Sequence, residues 1–382
     1  MPPVSRPRSH WLALGTAFLL TSVAADAQPS SGTHHVRSRP DTVSWGWFPL
    51  DKAPVLTIES GETVTIDTIS HAGSTQPESP ETSLAALGVQ PDEILPDVLA
   101  FWQSRNNRPR EGRSGHVITG PIAIAGAEPG DVLEVQVLAL TPRVPWGINS
   151  TGPTSGVYGQ SYPGSRPTDR IREEVEAAQH LYRTRSVDGD LVAVVSETIH
   201  VPLTPFMGIM AVAPDPVLGE PGVTVSGVQA SRPPGRFGGN MDVKDLGVGS
   251  TLYLPVLQPG GLFYVGDPHS AQGDGEVSGT AIEQSLTGRF RFVLHKDEPL
   301  TMPRAETDTH YILMGIDLDL DRALQQAVDE VVAFLVAVEG LTATEATSLA
   351  SIAVDFQIAE AVDLTQLVTG KIPKRIFLEE PQ

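Results

Sequence analysis

Between residues 235 and 276 the chain reads GRFGGNMDVKDLGVGSTLYLPVLQPGGLFYVGDPHSAQGDGE, which sets Asn240, Asp242, Asp267, His269, Asp274 and Glu276 among glycines. Carboxylates, an amide and an imidazole in such company can approach a metal ion or a polar substrate with little steric cover. In GDPH, a strand ending near Val265 would turn Asp267 and His269, two residues apart, to one face. Zn²⁺ accepts His nitrogen and Asp oxygen at about 2.0–2.2 Å, and a catalytic site keeps one position open. Asp-x-His also describes a solvated turn, so the pair needs companions. In QGDGE the two-residue spacing recurs. Glu276 is placed to act as general base beside an ion, a role that contributes about 10²–10⁴-fold to a rate. Asp274, between Gly273 and Gly275, fits an Asx-turn acceptor. Asn240 could donate to a carbonyl oxygen, and Asp242 could ligate an ion or orient a histidine; a Gly-Gly turn with polar ends is the competing account.

A metal site needs ligands from more than one segment. His71 closes TVTIDTISH, with Asp67 four residues before it, and His116 precedes VITGPIAIAGAEPGD; either could face the site or be a satisfied strand-end histidine. His34 and His35 read as solvated. G-x-S-x-G, a Walker loop and HExxH do not occur, and there is no cysteine, so thiol nucleophiles and thiolate zinc sites are excluded.

The elements that must position these groups are short and β-like: Val55 to Ile58, Thr63 to Thr68, Ile122 to Ala125, Val132 to Leu140, Leu191 to Val195 and His200 to Leu203, each beside turn residues. Leu252 to Leu257 and Leu262 to Val265 read as a hairpin around Gln258-Pro259-Gly260-Gly261. With 36 glycines and 33 prolines a largely helical chain is untenable. Residues 72 to 115, with a helical patch near Ile94 to Ser104, and 147 to 180 read as long insertions of the kind that border sites. From Leu320 to Val338 apolar residues recur at helical spacing before Gly340, and Thr342 with Glu345 forms a capping-box signature. The expected fold is mainly β with an α+β C-terminal part, a β-sandwich or barrel-like body followed by helices.

Residues 1–27 carry Arg6 and Arg8, an apolar run from Trp11 to Ala24 and Ala25-Asp26-Ala27, the pattern of a secretory signal cleaved after Ala27. Export to the periplasm or beyond is expected, with no stable membrane anchor after cleavage. The organisation read from the sequence is a signal at 1–27, a flexible lead at 28–39, a β-rich lobe at 40–230 and an α+β lobe at 231–382 carrying the motif segment. A length of 382 residues suits two lobes or one elaborated domain, and a formal charge of −20 makes nucleic acid an unsuitable partner.

FGGNMD, LPV and GDPHSAQGDGE followed by GTAIE, with HVITGPIAIAGAEPGD and PFMGIMAVAP, resemble the acetamidase/formamidase family. TDTHYILMGIDLDLDRAL and SLASIAVDFQIAEAVD resemble its helical end. The resemblance implies hydrolysis of a small amide to carboxylate and ammonia or amine, on a sandwich-like body with an α/β portion, often in a homo-oligomer. It also implies a divalent metal, commonly zinc, with Asp267 and His269 as ligands and His116 and His71 as their partners, beside which Glu276, Asn240 and Asp242 remain the catalytic groups read from the motif segment. His116 matches the histidine of an HPLTGP-like segment in which Val117 and Ile118 replace Pro-Leu. A signal peptide is unusual beside cytoplasmic relatives, and WGWFPLDKAP with the 72–115 insertion points to a subgroup whose substrate differs from formamide or acetamide. Two alternatives remain: a secreted binding protein that keeps fold and ion without turnover, or a lactam or ester hydrolase.

Overall fold

The computed structural model describes residues 34–108, 115–159, 174–215 and 229–378. The expected signal at 1–27 lies outside the described residues, among which no helix is long and apolar enough to cross a membrane.

Two large sheets share one core. The first runs, edge to edge, through His34–Val36, Thr63–Asp67, Leu286–His295, Val132–Pro142, Thr251–Pro255, Arg304–Glu306, His310–Asp317, Thr365–Pro373 and Asp355–Asp363. The second runs through Gly238–Asn240, Phe206–Ala211, Phe263–His269, Val117–Ile124 and Val43–Trp45, with Leu56–Ile58 also paired to Val117–Ile124. Strand periodicity explains the stacking. Leu286–His295 buries alternate residues, among them Leu286, Phe290 and Phe292, whereas Val117–Ile124, Phe206–Ala211 and Phe263–His269 are buried throughout. Phe263 of the second sheet meets Phe290 and Phe292 of the first at centroid distances of 6.3 and 4.9 Å. Val64, Leu133 and Val135 join Ile209 and Val265 in the same core. This is a sandwich, and none of the sheets among the described residues closes into a barrel.

The helices arise as their sequences require. Leu320–Glu339 opens on Asp319, whose side chain accepts from the amides of Asp321 and Arg322, and stops at Gly340 in the left-handed region. It buries Ala323, Ala327, Val331, Phe334 and Leu335, and Gly315 lets its backbone at Ala323 and Ala327 close on the sheet. Thr342 and Glu345 cap Ala343–Ala353 reciprocally.

Four features differ from the sequence expectation. Leu252–Leu257 and Leu262–Val265 do not form a hairpin: Thr251–Pro255 pairs with Val132–Gln136 in the first sheet, while Phe263–His269 belongs to the second. The Pro-Gly-Gly turn carries the chain between layers, because Gly260 exchanges backbone hydrogen bonds with Ala127 and Ile124 in place of a facing strand. The C-terminal part carries the expected helices, but its DFQIAEAVD segment is not one of them. DFQIAEAVD is the strand Asp355–Asp363, which turns at Leu364 into Thr365–Pro373. Within the expected lead, His34–Val36 pairs in parallel with Val64–Ile66, and His35 Nε2 sits 3.0 Å from Asp67 Oδ2. Finally, both large sheets take strands from either side of residue 230, so the hydrogen bonding crosses the expected lobe boundary.

Candidate active site

Adjacent strands bring distant residues together at one end of the second sheet. Asp267 and His269 close Phe263–His269, which lies between Val117–Ile124, led by His116, and Phe206–Ala211. His71 follows Thr63–Asp67 of the opposing sheet, while Asn240 closes Gly238–Asn240 and Asp242 follows it. Glu283 reaches the site through a bridge opposite His269. Asp363 and Glu360 arrive on the strand Asp355–Asp363, whose Glu360 bridges Gly275 beside Glu276.

The four ligands expected from the sequence converge. His71 Nδ1 lies 3.5 Å from both Asp267 Oδ1 and Glu283 Oε2, and His116 Nε2 lies 3.7 Å from Asp267 Oδ1. His269 Nε2 stands 3.1 Å from Asp267 Oδ2 and from Glu283 Oε1. Four overlapping sets have mutually close ligand atoms: His71, His116 and Asp267; Asp242, Asp267 and His269; His269, Glu276 and Glu283; Asp242, Glu276 and Asp363. Asp267 joins the first two, so the expected ligands form one connected group with Asp242 and Glu283 added.

Their polar atoms face one another at ion-pair distances but without well-formed hydrogen bonds. His71 Nδ1, His269 Nε2, Asp267 Oδ1, Glu283 Oε2 and both carboxylate oxygens of Asp242 are buried with no hydrogen-bond partner among the described residues. At 3.1 Å the two oxygens near His269 Nε2 are close enough for a hydrogen bond but lack its geometry. Buried polar groups left this way are costly, and a divalent cation satisfies such nitrogen and oxygen donors together.

The charge balance points the same way. Burial and then Asp363 push the Glu276 carboxyl well above its ordinary range, and burial and then Glu276 do the same to Asp242. Burial works against ionisation of Asp267, but His116 and His269 outweigh it and hold that carboxyl well below the usual range. Burial lowers His269, yet Glu283 and Asp267 override it and raise the imidazole well above its ordinary value; His71 is raised by the same contest. In His116 burial prevails over Asp267, and its pKa falls. Carboxylates outnumber cationic partners here, as expected where a bound cation completes the balance.

Backbone conformation is bent to the same end. Asp242, Asp267 and Glu276 have φ of 48°, 52° and 45°, in the left-handed region where non-glycine residues are uncommon. Gly208, opposite Asp267 in the sheet, leaves room for the carboxylates of Asp242 and Asp267, which a Cβ there would push aside.

The other expected groups divide. Asn240 Nδ2 donates to Asp363 Oδ2 at 2.8 Å, so this amide ties the motif segment to the strand bearing Asp363. Asp242 Oδ1 is 3.6 Å from His269 Nδ1, but Gln272 Oε1 is nearer at 3.1 Å. Asp274 is drawn off to Lys244 at 3.0 Å. Glu283, Asp363, Glu360 and Gln272 were not singled out from the sequence; the GTAIE string contains Glu283 but no spacing that marks it. His71 and His116 border a cavity of about 480 Å³ with Ser150, Thr154, Arg232 and Asp363. Glu276 and Gln272 border a second of about 480 Å³ with Asn149, Tyr182 and Thr204. The 147–180 insertion therefore reaches the site through Asn149, Ser150 and Thr154, whereas of the 72–115 insertion only Gly115 lines either cavity.

The sequence profile of the Acetamidase/Formamidase family matches residues 109–221 and 223–379. A formamidase of Methylophilus methylotrophus is 28% identical over 330 residues, covering 69% of this chain and 77% of that protein. An acetamidase of Mycolicibacterium smegmatis is 30% identical over 203 residues, covering 43% of this chain. The match spans 47% and 49% of the length of two curated relatives. A crystal structure of acetamidase from Yersinia enterocolitica superposes with a TM-score of 0.71 at 27% identity, covering 92% of this chain and 95% of that one. With the profile embracing His116, Asp242, Asp267, His269, Glu276, Glu283 and Asp363, the chain belongs to the acetamidase/formamidase family.

Proposed function

We propose that this protein hydrolyses the carbon–nitrogen bond of a small amide at a divalent-metal centre, giving a carboxylate and ammonia or an amine. The observation that carries the reading is the buried set of ligand atoms on His71, Asp267, His269 and Glu283 left without hydrogen bonds among the described residues, with Glu276 beside it. His71, His116, Asp267, His269 and Glu283 would hold the ion, and three imidazoles in the donor set favour zinc. When bound, the ion would polarise the amide carbonyl and lower the pKa of water from about 15.7 toward about 7.

The chain's own groups supply the rest. Glu276, beside the cluster, is placed to accept a proton from the attacking water and to return it to the leaving nitrogen. Asn240 and Arg232 hold Asp363 at the wall of the site. Burial of the cluster keeps bulk water from screening these charges. Family membership and the relatives' names support the reaction class, and the signal-like residues 1–27 support an exported enzyme.

Glu276→Gln tests the reading. Ammonia release from an amide panel should fall by at least about 10²-fold, with zinc content unchanged. Full turnover in this variant would remove Glu276 from the chemistry, and an absence of hydrolysis in the wild type would favour a binding protein.

A further inference from the structure

Gln272 contacts the segment that follows Gly238–Asn240, the strand Asp355–Asp363 and the central histidine through a single amide group. Its Nε2 donates to Asp242 O at 2.8 Å and approaches Ala359 O at 3.4 Å. Both are backbone carbonyls and can only accept, which fixes the orientation of the amide. Its Oε1 therefore faces His269 Nδ1, at 3.1 Å, and an amide oxygen can also only accept. The proton of this contact must sit on His269 Nδ1. A neutral imidazole so protonated carries its lone pair on Nε2, the atom that meets Asp267 and Glu283 without hydrogen-bond geometry.

We infer that Gln272 is a positioning residue: it selects the tautomer of His269 that presents Nε2 as a metal ligand and locks the ring in that direction. The inference rests on the reading of this cluster as a divalent-metal centre. Asp242, the neighbour the sequence offered for orienting a histidine, is left with its carboxylate free for the site. The same amide holds the backbone of Asp242 in its left-handed conformation and ties it to the strand bearing Glu360 and Asp363. Partners that orient a ligating histidine typically contribute about 10–100-fold in metal affinity.

The test is zinc affinity, measured by chelator competition on the full chain for wild type, Gln272→Met and Gln272→Glu, with unfolding of each metal-free protein in parallel. Met fills the same space without an acceptor, and zinc binding should weaken by about 10–100-fold. Glu restores an acceptor at Nδ1, so its affinity should return toward wild type even though the bond to Asp242 O is lost. Unchanged zinc affinity in Gln272→Met, with or without a loss of metal-free stability, would overturn the inference. Equal weakening in both variants would also overturn it. A second measurement needs no variant: ¹⁵N ring correlations of the zinc-loaded protein should show His269 protonated at Nδ1 and coordinated through Nε2, and the reverse pattern refutes the role. Wild type that takes up no zinc would overturn this inference and the metal centre together. Zinc uptake without amide hydrolysis would overturn only the proposed reaction.

Discussion

Asn240 Nδ2 donates to Asp363 Oδ2 at 2.8 Å, joining residues 123 positions apart. This bond fastens the FGGNMD segment to the C-terminal strand pair and explains how Asp363 comes to stand beside Asp242 and Glu276. Arg232 Nε supports the other carboxylate oxygen at 3.3 Å.

Asn240→Ala removes one donor from a buried carboxylate, and that loss should cost about 1–3 kcal/mol of stability. Turnover should fall as well, because the Asp363 carboxylate is then held by Arg232 alone among the described residues and its position beside Asp242 and Glu276 loosens. Denaturant unfolding and steady-state kinetics on one preparation check both effects; wild-type values in each would show that the bond holds nothing in place.

Gly208→Ala places a methyl group where the carboxylates of Asp242 and Asp267 already stand. Overpacking of this kind costs about 1–3 kcal/mol, and here relief would come by displacing ligand atoms. The variant should lose most of its zinc affinity and its activity. Normal metal content by elemental analysis would contradict the close approach described for this strand.

Lys52 gives a pH prediction away from the site. Burial, then repulsion from Arg108, lowers its pKa from 10.5 to about 8 in the folded protein, where it donates to Val43 O and Ser44 Oγ. Between these values the unfolded chain binds more protons than the folded one, so this residue makes stability rise with pH from about 8 to 10.5. The stability of wild type relative to Lys52→Met should therefore increase across that window. A constant difference in unfolding midpoints from pH 7.5 to 10 would refute it.

The legible part of the site lay where side-chain spacing and strand period coincide. Asp267 and His269 alternate on one strand, so their meeting followed from local sequence, and His71 and His116 became credible once the motif order matched a family. Glu283 and Asp363 were not legible because each reaches the cluster by pairing of distant chain, which no local spacing marks. Glu283 arrives through its bridge to His269, and Asp363 through a turn at Leu364 between strands in a region where the sequence suggested helix. The fold shows the same division. Strand alternation, the stop at Gly340 and the Thr342–Glu345 capping box are local and were readable in the sequence, whereas the Asp319 cap was not singled out. The misplaced hairpin was a question of sheet membership, and a Pro-Gly-Gly turn does not specify which layer the next strand joins.

The most direct test of the central claim is removal and return of the ion. Purified protein is stripped with a chelator, assayed for ammonia or amine release across an amide panel, then titrated with zinc and assayed again. The account predicts loss of hydrolysis on stripping and its return as zinc binds, with no return in His269→Ala. Full hydrolysis by protein shown to be metal-free would contradict it.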